Sequence, residues 1–130
     1  MDLNICYFIL IAVVLYGCLE GNVLLYLKLK EILSILVDRL KELPGVQEII
    51  LFGSVAEGRH RPDSDVDILV VLDREINREI FHNIAGDIYV NHAIPVTIIP
   101  VTMKQLEEGG DPWLSRIVEK GKVLWRRRTG

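Results

Sequence analysis

Two aspartates, Asp65 and Asp67, stand at the start of an apolar run that reads Ile-Leu-Val-Val. In a strand, residues two apart point to the same face, with their Cα atoms about 7 Å apart. Two carboxylates so placed repel each other, which raises the proton affinity of one of them, and a hard cation between them removes the conflict. Mg²⁺ prefers oxygen ligands of this kind. The pair therefore predicts a magnesium site, although by itself it also fits a turn residue followed by a polar strand position.

A glycine and a serine, Gly53 and Ser54, follow the preceding apolar run directly. Glycine lets the backbone approach a ligand closely, and the serine hydroxyl and the next amides can donate hydrogen bonds to phosphate oxygens. Arg59, His60 and Arg61 come next in the chain. They fit either a solvated turn or a source of positive charge for a triphosphate. We therefore predict a phosphate-binding turn close to the metal pair.

The spacing of Gly53 and Gly58 is also that of a P-loop, which is a different phosphate-binding motif. A P-loop requires a lysine and then a serine or threonine next, at the start of a helix. Here Arg59 and His60 follow, and the chain then leads into another strand. The P-loop interpretation is therefore rejected.

The elements that must position these residues follow from the spacing of apolar side chains. The predicted order is a helix from Leu25, a strand Val46–Phe52, a loop Gly53–Ser64, a strand Val66–Leu72, a helix beginning near Asp73, a strand Ile94–Thr102, two short helices capped by Thr102 and Asp111, and a terminal strand Lys122–Trp125. Pro95 and Pro100 indicate either an edge strand or the ends of a strand. This order predicts an α+β domain, in which helices pack on a small mixed β-sheet.

The length and charge of the chain limit its class. Its 130 residues are enough for one domain with its own core, and its net charge is −3. Because that charge gives no global attraction to nucleic acid, we expect no direct nucleic-acid binding. Cys6 and Cys18 form no CxxC pair, so neither a disulfide framework nor a zinc site is expected. The expected location is the cytoplasm.

The N-terminal segment contains an uncharged run of 15 residues, Ile5–Leu19. As a helix this run is about 22 Å long, against about 30 Å of bilayer hydrocarbon. Three interpretations are open: a membrane-associated helix, a cleaved signal, or an extension that the fold does not need. The third is favoured, because the residues after Leu24 make a complete domain. The predicted division is thus a hydrophobic segment 1–23, a main domain 24–125 and a basic tail 126–130.

The motif resembles a known signature. Gly53-Ser54, ten residues and then Asp65-Val66-Asp67 is similar to the GS-x10-D-x-D signature of the minimal nucleotidyltransferases, in the DNA polymerase β-like superfamily. The strand EIILF, Gly58 and Ser64 match as well, and the resemblance extends from Leu25 to about Trp125. It implies a polymerase β-like core in which Asp65 and Asp67 are catalytic and bind Mg²⁺. The nucleotide-binding residues predicted for this chain are Gly53, Ser54, Arg59, Arg61 and Ser64.

The resemblance also implies a reaction and a partner. Members of this family transfer a nucleoside monophosphate from a nucleoside triphosphate to a hydroxyl, and many are antitoxins of HEPN-domain toxins. For this chain it implies transfer of AMP from ATP to a hydroxyl of a HEPN-type toxin, with Mg²⁺ as cofactor. Membrane association is considered only through residues 5–19.

Two positions depart from the family pattern. Thr97 stands where a third carboxylate is expected on the next core strand, and a threonine hydroxyl cannot act as a base at neutral pH. Asp87, in the predicted second helix, is the nearest later acid that could replace it. Glu57 stands where members often carry arginine. Two hypotheses therefore stay open: an active transferase, and an antitoxin that binds a nucleotide or a toxin without catalysis.

Overall fold

The structure is a computed structural model, and it describes residues 23–59 and 65–128. In that part of the chain, helices cover both faces of a four-stranded mixed sheet, which confirms the predicted α+β class. The helices are α1 (Val23–Lys41), α2 (Gly53–Ala56), α3 (Glu79–His92), α4 (Met103–Glu108) and α5 (Pro112–Lys120), and the strands are β1 (Val46–Phe52), β2 (Val66–Leu72), β3 (Val96–Thr102) and β4 (Lys122–Arg126).

Some predictions fall outside the described residues. These include the run Ile5–Leu19 with Cys6 and Cys18, and the loop residues from His60 to Ser64. Among the helices that the structure does describe, none combines the length and the apolar character needed to cross a membrane.

The order of strands in the sheet is β3-β2-β1-β4. β1 is antiparallel to β2 and to β4, whereas β2 and β3 are parallel. β3 is an edge strand, which is one of the two alternatives that Pro95 and Pro100 indicated. Because of these directions, the end of β1 meets the beginnings of β2 and β3 at one edge of the sheet. The predicted metal-binding and phosphate-binding residues come together at that edge.

The larger core lies between the sheet and the helices α1 and α3. The apolar face of α1 is fully buried there through Ile32, Leu33, Leu36 and Leu40. Each such side chain contributes about 1.5–3 kcal/mol to stability when it is removed from water. Alternate residues of β2 enter the same core, namely Val66, Ile68, Val70 and Leu72. The other residues of β2 must therefore face the opposite side of the sheet.

A smaller core on the opposite face is covered by α4 and α5. It contains Leu69 and Val71 of β2, Ile50 of β1 and Ile117 of α5. Asp67 lies two residues before Leu69, so its side chain is on this face, just beyond the end of the small core. The position of the aspartate inside a strand is thus explained: the apolar packing stops where the carboxylate begins.

The two helix caps that the sequence predicted are confirmed. Thr102 forms the predicted capping box with Gln105, and Asp111 accepts hydrogen bonds from the first amides of α5. The prediction that α3 begins near Asp73 is wrong by about a turn and a half, since α3 begins at Glu79. The Asp73 carboxylate accepts hydrogen bonds from Gln47 and Arg74, and Asn77 instead accepts from the Glu79 amide.

Candidate active site

Asp67 stands at the centre of the sheet edge where three strands meet. It pairs with Phe52 at the end of β1 and with Thr97 at the start of β3. Paired residues of neighbouring strands point to the same face, so the three side chains lie side by side. The Asp67 side chain is half-buried, whereas Thr97 and Asp65 are exposed. The site is therefore open to solvent on the side of Thr97 and Asp65.

The turn after β1 lies directly against the Asp67 carboxylate. Gly53 has a φ of +80°, which side chains rarely allow. A Cβ at Gly53 would overlap a carboxylate oxygen of Asp67 and lie 3.3 Å from its carboxyl carbon. Both the conformation and the space at position 53 therefore require glycine. The predicted phosphate turn and the predicted metal carboxylate are neighbours in space.

The residues after Gly53 form a single compact turn of helix. The Glu57 amide donates to the Gly53 carbonyl at 3.1 Å, and the Arg59 amide donates to the Ser54 carbonyl at 2.8 Å. Val55 and Ala56 are buried and anchor the turn in the core, while Ser54 remains half-buried. Apolar packing of Val55 and Ala56 thus holds the turn in place.

The electrostatics of the two aspartates favour a cation. Burial, and secondly the neighbouring charge of Asp65, raise the pKa of Asp67 above its ordinary value. The folded protein therefore resists a full negative charge at Asp67, and an oxygen-seeking dication would relieve that resistance. Among the described residues no group of three or more histidine, cysteine, aspartate or glutamate side chains converges on one point. Asp65 and Asp67 fit Mg²⁺ as two carboxylate ligands that leave other positions to waters and phosphates.

Of the two arginines predicted to bind the nucleotide, the structure describes Arg59. Arg59 forms an ion pair with Glu57 at 2.9 Å, and both side chains are largely exposed. The charge of Arg59 is therefore balanced by an acid on its own turn. Arg61 and Ser64 lie outside the described residues.

Asp87 does not replace the missing third carboxylate. It lies on α3 and forms an ion pair with Arg39 of α1 at 2.9 Å. Both helices cover the face of the sheet opposite to Asp67. Thr97 occupies the position where the third acid was expected, and it is in direct register with Asp67.

A cleft beside the turn was missed from the sequence. It has a volume of about 240 Å³ and lies between Gly53 and Glu57 on one side and Trp113, Arg116 and Lys120 of α5 on the other. Trp113 packs edge to face on Phe52, with ring centroids 5.9 Å apart. The spacing of three and four residues along α5 could have indicated that these three side chains share a face.

Most of the chain matches a known protein family. The family model described as nucleotidyltransferase domain matches residues 29–124. The chain belongs to this family. The matched span includes β1, the turn at Gly53 and both aspartates.

A curated nucleotidyltransferase gives a second comparison. The protein adenylyltransferase MntA of Thermococcus cleftensis is 55% identical over 47 residues. This similarity covers 34% of the chain and 48% of MntA. The chain is thus matched to about half the length of that relative.

Two solved toxin-antitoxin structures share the fold. A crystal structure described as a toxin-antitoxin with AMP-PNP has a TM-score of 0.59 at 23% identity, with 73% of each chain covered. A structure of the tri-AMPylated HEPN toxin of Shewanella oneidensis in complex with its MNT antitoxin has a TM-score of 0.50 at 22% identity, covering 78% of this chain and 71% of that one. At these identities the likeness shows the fold.

Proposed function

We propose that this nucleotidyltransferase-family protein transfers AMP from ATP to a hydroxyl of a HEPN-type toxin, in a magnesium-dependent reaction, and that it acts as the antitoxin of that pair. The proposal rests mainly on the contact between the Gly53 turn and the Asp67 carboxylate. A turn that can bind phosphate and a carboxylate that can bind a metal are useful together when the substrate is a metal-bound triphosphate. The MntA and antitoxin relatives supply the acceptor class.

The chain's own residues have separate tasks in this reaction. The acceptor oxygen forms a bond to the α-phosphorus, the bond from that phosphorus to the β-phosphate oxygen breaks, and pyrophosphate leaves with the electron pair. The Gly53-Ser54 turn would hold the phosphates by its amides and the serine hydroxyl. Asp65 and Asp67 would hold Mg²⁺, which when bound supplies positive charge to the phosphate oxygens. The hydroxyl proton leaves to water, because Thr97 beside the site is no base at neutral pH.

Thr97 is also the observation that favours a second candidate function. The position beside Asp67 carries a neutral hydroxyl in place of a carboxylate. A site with two carboxylates can still bind Mg-ATP, because the triphosphate supplies oxygen ligands of its own. Activation of the acceptor hydroxyl is the step that the missing carboxylate weakens. The alternative is therefore an antitoxin that binds the nucleotide and the toxin without transfer.

Incubation of the protein with labelled ATP, Mg²⁺ and its cognate HEPN partner separates the two candidates. Label transfer to the partner that is abolished in Asp65→Ala and in Asp67→Ala supports the transferase. A stable complex with the partner, with ATP bound and no label transferred, supports the binding antitoxin. If both variants retain the magnesium and ATP affinity of the wild type, the assignment of the site is wrong.

A further inference from the structure

The cleft between the Gly53 turn and α5 carries an excess of positive charge. Its charged lining residues are Glu57, Arg116 and Lys120. Glu57 is already paired with Arg59 at 2.9 Å, so those two charges balance. Within the described residues, the side chains of Arg116 and Lys120 have no hydrogen-bond or ion-pair partner. Two cations therefore face the cleft, and neither has an ion-pair partner among the described residues.

The position of the cleft connects it to the proposed reaction centre. Gly53 lines the cleft and also contacts the Asp67 carboxylate. On the opposite wall, Gly121 lets the end of α5 lie directly on β1, since a Cβ there would be 3.1 Å from the Leu51 carbonyl oxygen. Arg116 and Lys120 are thus held close to the end of β1, where the turn begins.

We propose that this cleft binds the two outer phosphates of the nucleoside triphosphate, and that Arg116 and Lys120 supply the positive charge for them. The inference rests on the proposed function, because it takes the α-phosphate to lie at Asp65 and Asp67. The outer phosphates are then one and two P–O–P links away, on the far side of Gly53. After transfer they form the leaving pyrophosphate, so the same two cations stabilise the charge that develops on it.

The size of the cleft agrees with this ligand. Sites for molecules as large as a whole nucleotide have volumes of about 300–1,000 Å³. A cleft of about 240 Å³ suits a smaller group, and its charged wall suits an anion. Arg116 and Lys120 are exposed, so water solvates them in the free protein, and an anion in the cleft gains charge-assisted hydrogen bonds from them. Phe52 and Trp113 add apolar surface to the lining, and the two cations favour the pyrophosphate group as the charged part of the ligand.

The test is a set of binding measurements with three probes. The double variant Arg116→Gln/Lys120→Gln is compared with the wild type by calorimetric titration of Mg-ATP, inorganic pyrophosphate with Mg²⁺, and AMP. We expect affinity for Mg-ATP and for pyrophosphate to fall by about tenfold or more, as for loss of charge-assisted hydrogen bonds. The affinity for AMP, which lacks the outer phosphates, should not change. The variant Arg116→Lys/Lys120→Arg should retain most of the Mg-ATP affinity.

A matched control removes the same charge elsewhere. Lys28 on α1 and Lys104 on α4 are exposed and do not line the cleft. The variant Lys28→Gln/Lys104→Gln should bind all three probes as the wild type does, with an equal circular dichroism spectrum. A similar loss in both double variants would reduce the effect to net charge and overturn the proposal.

Other outcomes separate this proposal from the proposed function. Unchanged Mg-ATP and pyrophosphate affinity in Arg116→Gln/Lys120→Gln, with label transfer to the partner intact, overturns the cleft proposal alone. Pyrophosphate binding that depends on Arg116 and Lys120, without any label transfer, supports the cleft and removes the transferase. A wild type that binds neither Mg-ATP nor pyrophosphate overturns both.

Discussion

Thr97 lies directly beside Asp67 on the neighbouring parallel strand, and the two side chains share one face of the sheet, beyond the small core that α4 and α5 cover. Thr97 is exposed, and aspartate is close to threonine in size. A carboxylate at position 97 would therefore fit without repacking and would stand next to the proposed metal ligands. The chemistry of this one position is the difference between the two candidate functions.

Thr97→Asp should raise the rate of label transfer. A third carboxylate can take the proton of the acceptor hydroxyl or bind the metal, and a positioned general base contributes about 100-fold or more to a rate. The rate is measured with labelled ATP, Mg²⁺ and the HEPN partner at fixed concentrations. Thr97→Asn is the control, since it has the same shape as the aspartate variant without its charge. Equal rates in both variants would show that the carboxylate is not what limits transfer.

Gly53→Ala should destabilise the protein and weaken ATP binding. Alanine at this position combines a positive φ with overlap on the Asp67 carboxylate, and such local strain amounts to about 1–3 kcal/mol. Urea unfolding measures the loss. The control is Gly86→Ala, because Gly86 lies inside α3 with no atom within 4 Å of an added Cβ. That variant should gain about 0.5–1 kcal/mol from helix propensity. Equal destabilisation in the two variants would contradict the close contact at Gly53.

Asp67→Asn should stabilise the protein without metal and remove its response to Mg²⁺. The pKa of Asp67 is raised by burial and by Asp65, so the folded state holds a proton that the unfolded chain has already lost. The free energy of unfolding of the metal-free wild type therefore falls as the pH rises from the pKa of Asp67 in the unfolded chain to its pKa in the folded protein. The asparagine variant lacks this loss and should unfold about 1–4 °C higher at pH 7.

Thermal unfolding with and without Mg²⁺ checks this expectation. Added Mg²⁺ should raise the unfolding temperature of the wild type, since it binds the folded state selectively. It should not raise that of Asp67→Asn. A metal-free variant less stable than the wild type would mean that the Asp67 charge is compensated in the folded protein.

The sequence predicted the fold and the placement of the aspartates well, for a physical reason. The period of apolar residues in α1 and β2 depends only on local geometry, and it located Leu36 in the core and Asp67 on the other face. The start of α3 was predicted wrongly because the Asp73 carboxylate accepts a hydrogen bond from Gln47, which is 26 residues away in the chain. The cleft also depends on a contact between distant parts of the chain, because Arg116 and Gly53 line one cleft only when α5 packs on β1.

Glu57→Gln should increase the affinity for Mg-ATP. The substitution removes the acid that lines the cleft and leaves Arg59 without its 2.9 Å ion-pair partner. The outer phosphates would then face Arg116 and Lys120 with no acid in the cleft lining, and the charge of Arg59 on the neighbouring turn would be unbalanced. Because exposed ion pairs contribute about 0.2–1 kcal/mol, the gain should be about two- to fivefold and should shrink at high salt. Glu108→Gln, at the end of α4 and away from the cleft, is the control for net charge. A gain of the same size in Glu108→Gln would assign the effect to long-range attraction, whereas a gain confined to Glu57→Gln places the phosphates beside the turn.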